Sequence, residues 1–142
     1  MIAIDTNILV YAHSEDAEWH NAAFDSVKAV AESRTPWAIP WPCIHEFLAI
    51  VTHPKIFAPP PLAAASAQVE AWLEAPVVLL SECSGCWPIL SQTIKAGRIA
   101  GSQVHDARIA ALCLLHGVTE LWSADRDFNC FPTVAVRNPL VD

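Results

Sequence analysis

Four carboxylates invite a chemical reading. Asp5 closes the run Ile2-Ala3-Ile4, whose small and apolar residues read as a buried strand. Asp and Asn are poor strand formers, so that strand stops at Asp5. In open parallel α/β sheets ligands bind beyond the carboxyl ends of the strands, which makes an acid there a candidate ligand or catalyst. Asp125 repeats the arrangement after Leu121-Trp122-Ser123. An Asp-rich turn is the plain alternative for Asp125, and Asp127 fits that description without further role. Two strand-end carboxylates in one parallel sheet nevertheless point to the same crevice. Asp106 is the most out-of-place acid: it shares a helical face with Ile109, Ala110 and Cys113, where an ionised group is costly to bury unpaired. It also suits the amino end of a helix dipole, and both readings stand. For Glu46, on the side of its helix away from Phe47 and Leu48, spacing alone favours a solvated face.

Carboxylates gathered without a paired base repel one another, so some must take up protons or bind cations. All-oxygen ligation suits the hard divalent ions Mg2+ or Mn2+. Such ions activate water and stabilise the leaving oxygen in phosphodiester cleavage.

The elements that must position these acids alternate between strand and helix. After the first strand, Ile8 to Tyr11 continues as a short helix or turn ending by His13. Glu15 to Glu32 has helical spacing, with Trp19, Ala22, Ala23, Ser26, Val27 and Val30 recurring every three or four residues. Trp37 to Trp41 reads as a second strand, with Pro40 near its end. Pro42 then opens a helix to about His53, with Ile44, Phe47, Leu48 and Val51 as its apolar stripe. His53 to Pro61 reads as an extended crossover. Leu62 to Glu74 is a helix, Val77 to Leu80 an apolar strand, and Cys86 to Lys95 a helix ending near Gly97. Ser102 is expected to cap a helix from Gln103 to His116, with Gly117 as its stop. Glu120 to Ser123 and Val134 to Val136 complete the strands. Alternation of this kind implies a parallel sheet with helices on both faces, an α/β fold.

The chain has 142 residues, enough for one domain with a real core, and 54% are hydrophobic against 16% charged. No apolar run reaches the roughly 18 residues that span a bilayer, and with no basic region or cleavage site near Met1 no signal for secretion is expected. Five cysteines in that setting read as reduced thiols in a cytoplasm. The net charge of −7 argues against a non-specific nucleic-acid binder, unless bound cations neutralise several acids. It would suit a basic protein partner.

The ordered segments Asp5-Thr6-Asn7, Glu46-Phe47-Leu48, Val104-His105-Asp106-Ala107 with Ile109-Ala110-Ala111, and Ser123-Ala124-Asp125-Arg126-Asp127-Phe128 resemble the motifs of PIN-domain ribonucleases. Within that family the resemblance is nearest to the VapC-type toxins of bacterial toxin–antitoxin pairs, and it runs over essentially the whole chain. Each motif is short and unspecific alone; all four in order are specific. The resemblance implies a three-layer α/β/α sandwich, one nuclease domain over residues 1–142, and Mg2+- or Mn2+-dependent endonucleolytic cleavage of RNA. It makes Asp5, Glu46, Asp106 and Asp125 an acidic quartet, with Asp5, Asp106 and Asp125 holding the metal and Asp127 peripheral. Thr6, Asn7 and Ser123 would hold the carboxylates by hydrogen bonds. Ser123 stands where the family often has Thr, which keeps the hydroxyl. A small antitoxin presenting a basic residue, and a second copy of the chain, are the implied partners.

Other motifs carry less. Cys83-Ser84-Gly85-Cys86 lacks the further ligands a zinc site needs. His45-Glu46 opens like a zinc-protease helix, but Ala49 occupies the position of the second His. His105 reads as a capping or surface residue. Lys95, Arg98 and Arg126 are candidate phosphate contacts or plain surface charges, and one or two of the six tryptophans could stack on bases. A non-catalytic RNA- or protein-binding module on the same fold is the alternative, and an intact quartet argues against it. A DNA nuclease is disfavoured by the absence of insertions to grip a duplex.

Overall fold

Five short strands and six helices alternate along the chain in the computed structural model, which describes residues 1–56 and 61–141. The order is β1 (Ile2–Ile4), α1 (Thr6–His13), α2 (His20–Glu32), β2 (Trp37–Pro40), α3 (Trp41–Val51) and α4 (Leu62–Glu74). Then follow β3 (Val77–Leu80), α5 (Cys86–Gly97), α6 (Val104–Leu115), β4 (Glu120–Trp122) and β5 (Val136–Arg137). The strands form one sheet in the order β3-β2-β1-β4-β5, and every pairing is parallel. β1 is central because Ala3 and Ile4 are fully buried, and its two neighbours, β2 and β4, satisfy both of its edges.

The chain builds outward from β1 to β2 and β3, then returns to the other side of β1 for β4 and β5. That reversal is the switch point where strand ends diverge and leave a crevice. α1 packs on α2 and α3, and α3 on α4; α5 and α6 pack on each other, with α6 also against β2. Right-handed crossovers in opposite directions put these two groups of helices on opposite faces, giving a three-layer α/β/α sandwich. The core is filled from both layers, with Phe47 of α3 set edge-on against the rings of both Trp72 of α4 and His13 of α1.

Several elements differ from their expected bounds. α2 begins at His20, because Ser14 to His20 is taken up by turns closed by Ala17 N–H to Ser14 O and His20 N–H to Ala17 O. The second strand ends at Pro40, and Trp41 already belongs to α3, which ends at Val51. His53 to Ile56 forms a turn with Ile56 N–H on His53 O, not an extended segment; residues 57–60 of the expected crossover lie outside the described residues, and Pro61 is the N-cap of α4. Ser102 is exposed within a 3-10 turn, Gly101–Gln103, and makes no cap bond to α6. Gly117 does end α6, with φ of +68°. The last strand is Val136–Arg137, shifted because a bond from Val134 N–H to Phe131 O keeps Val134 in a turn.

Candidate active site

The cleft forms where β1 and β4 end side by side. Asp5 is the N-cap of α1, and its backbone N–H still bonds to Trp122 O at 3.0 Å, so its side chain is the first to leave the sheet. It is only 4% exposed. Four donors surround its carboxylate. Oδ1 accepts the Thr6 backbone N–H at 2.8 Å and the Cys43 thiol at 3.6 Å. Oδ2 accepts Asn7 Nδ2 at 2.9 Å and Ser123 Oγ at 2.7 Å. Burial raises the Asp5 pKa, the bonds from Ser123 and Thr6 oppose that rise, and the charge of Glu46 adds to it.

Ser123 and Asn7 tie the two strand ends together. Ser123 is buried, and its hydroxyl also accepts Asn7 Nδ2 and the backbone N–H of Asp125. Asn7 Oδ1 accepts Ala124 N–H at 3.0 Å. Asp125 caps the next turn through Asp127 N–H at 2.8 Å. From α3, Glu46 is half-buried and accepts the Thr6 hydroxyl at 2.7 Å. Asp106 enters from the first turn of α6.

Asp5, Thr6, Asn7, Glu46, Asp106 and Asp125 therefore line one cleft of about 260 Å³, with Val10, Tyr11 and Ile50 as its apolar wall. Among the described residues, Asp106, Asp125 and Asp127 each offer an oxygen within 4.8 Å of the others. Asp127 thus stands nearer to Asp106 and Asp125 than its sequence position suggested, while Asp5 lies outside that tight set. Burial pushes the Asp106 carboxyl up to about 6, and the charges of Asp125, Asp5, Asp127 and Glu46 add to the rise. These leading influences are acids without a cation among them. A donor set made only of carboxylate oxygens, crowded enough to favour a proton, fits a hard divalent ion.

The remaining candidates lie elsewhere. Lys95, Arg98 and Arg126 do not line the cleft, and neither does any tryptophan. Trp37, Trp72 and Trp122 are buried, while Trp19 and Trp87 are exposed. His105 is a surface residue. Cys43 and Tyr11 were not singled out by sequence: a thiol on an apolar helix looks like core, and the lone tyrosine sits in a short segment with no diagnostic spacing.

A family model described as PIN domain matches residues 2–132. The chain is 31% identical over 142 residues to the VapC ribonuclease Mb2897 of Mycobacterium bovis, with 99% of this chain and 96% of that protein covered. It is 30% identical over 137 residues to Ribonuclease VapC48 of Mycobacterium tuberculosis, with 95% and 94% covered. Among solved structures, VapBC2 from Rickettsia felis bound to a DNA fragment from its promoter superposes with a TM-score of 0.72 at 18% identity, covering 97% of this chain and 98% of that one. At that identity the likeness concerns the fold.

Proposed function

The chain belongs to the PIN domain family, and from that premise we propose that it is an endoribonuclease, the toxin of a VapBC-type toxin–antitoxin pair, dependent on Mg2+ or Mn2+. The observation that carries this reading is the convergence of Asp5, Glu46, Asp106 and Asp125 from four elements into one cleft, beside Asp127. A divalent ion bound there supplies an activated water and charge stabilisation for phosphodiester hydrolysis. Asp5, Asp106 and Asp125 would hold it, with Asp127 adjacent. Ser123, Asn7 and the Thr6 backbone hold Asp5 in one orientation at the mouth of the cleft. Thr6 similarly holds Glu46, which faces the substrate side and completes the site. Val10, Tyr11 and Ile50 form the apolar wall along which a nucleotide lies.

The proposed partners follow from charge. RNA is the substrate; a small antitoxin offering a basic segment would neutralise the acids of a chain whose net charge is −7. A second copy of the chain completes the proposed assembly. Residues 1–142 act in this reading as one nuclease domain in the cytoplasm. Among the described residues no helix is long and apolar enough to cross a membrane.

Cleavage of a mixed RNA pool with Mg2+, Mn2+ or EDTA tests the reading, comparing the wild type with Asp5→Asn and Asp106→Asn. Metal-dependent cutting is expected in the wild type and a loss of at least 100-fold in both variants. Cutting that survives either substitution overturns the assigned site. No cutting together with no metal binding points to the non-catalytic module.

A further inference from the structure

The fourth donor to Asp5 comes from a residue with no assigned role. Cys43 lies on α3 one turn before Glu46, so both side chains leave the helix on one face. Its side chain is fully buried, and its thiol reaches Asp5 Oδ1 at 3.6 Å, the same oxygen that accepts Thr6 N–H. Glu46 meanwhile accepts the Thr6 hydroxyl. α3 is therefore hooked at two points, Cys43 on Asp5 at the end of β1 and Glu46 on Thr6 at the start of α1. The other donors to Asp5 belong to the start of α1 or the end of β4; among them only Cys43 ties the carboxylate to α3.

We propose that Cys43 is a positioning residue of the nuclease site, whose thiol sets the rotation of the Asp5 carboxylate and keeps α3, and with it Glu46, seated against the cleft. This rests on the metal-dependent ribonuclease reading above. The S–H group is a donor, if a weak one, and a hydroxyl in its place could donate to the same oxygen. A thiol that only filled space would be replaceable by any side chain that packs.

The experiment compares the wild type with Cys43→Ala, Cys43→Ser and Cys113→Ala. Cys113 is an equally buried thiol that lines none of the cleft, so its truncation leaves a comparable void. Mn2+ affinity is measured by calorimetry without RNA, initial cleavage rate on a mixed RNA pool, and the thermal midpoint on each protein. Cys43→Ala is expected to weaken Mn2+ binding and slow cleavage by about tenfold or more, and Cys43→Ser to stay within about threefold of wild type because it keeps a donor. Cys113→Ala is expected to lower the midpoint while leaving affinity and rate unchanged. Cys43→Ala with wild-type affinity and rate overturns the proposal, as does a Ser variant no better than the Ala one. A wild type that neither binds Mn2+ nor cuts RNA overturns the ribonuclease reading itself, and the proposal with it.

Discussion

Asp106 is under two pressures that act in the same direction. The apolar face of α6 around it disfavours its charge, and the neighbouring acids disfavour it again, so its carboxyl is pushed from 3.8 up to about 6. Between those values the folded, metal-free chain holds a proton that the unfolded chain has released. Its contribution to stability is therefore present in full below 3.8 and is lost as pH rises through about 6. Asp106→Asn is expected to stabilise the metal-free protein at pH 8 by about 1 kcal/mol, a figure discounted because the carboxyl is partly solvated. The gain should vanish below about pH 4, where wild-type Asp106 is protonated in both states. Denaturant titrations in EDTA at the two pH values measure it, and an Asn variant less stable than wild type at pH 8 would refute the argument. Mn2+ affinity should fall as pH drops through about 6, where the proton competes for the same oxygens. The conflict at Asp106 was legible in the sequence, because an acid on an apolar helix face is visible from periodicity. The bond that lifts Glu46 out of a solvated role was not, since Thr6 and Glu46 are separated by 40 positions.

At the scale of elements, Gly117 shows how a local requirement survives into the fold. It follows the last residues of α6 with φ of +68°, and a Cβ added there would meet nothing within 4 Å. Any loss on Gly117→Ala is therefore backbone strain in the left-handed region, about 1 kcal/mol, with no steric clash added. Urea denaturation measures it; a neutral substitution would mean that the turn relaxes into another conformation. The other end of α6 was read less well. Ser102 has the right chemistry for a cap, but the chain enters α6 through a 3-10 turn, and Gln103 occupies the cap position with helical backbone angles. α2 was expected too early for a related reason. Its buried residues are Ala23, Val27 and Val30, and a marginal helix is extended only where packing repays the ordering of its backbone.

For the whole molecule, charge and topology act together. Eight basic side chains face fifteen acidic ones, and no Lys or Arg lines the cleft. RNA binding by this chain alone should therefore release few counterions. A plot of log cleavage efficiency against log salt concentration, with the metal held saturating, is expected to have a slope shallower than about −2. A slope of about −4 or steeper would reveal a basic face contributed by a partner or a second copy. Sequence by itself determined the alternation of strand and helix, the parallel sheet and the acids at two strand ends, because propensity and hydrophobic period are local properties of the chain. Only the tertiary structure decided that β4 lies beside β1, so that Ser123 reaches Asp5 across 118 positions. It decided equally that Asp127 joins Asp106 and Asp125, and that a core thiol touches Asp5. Those outcomes depend on strand order and on side-chain rotamers meeting across the sheet's end, which no local pattern encodes.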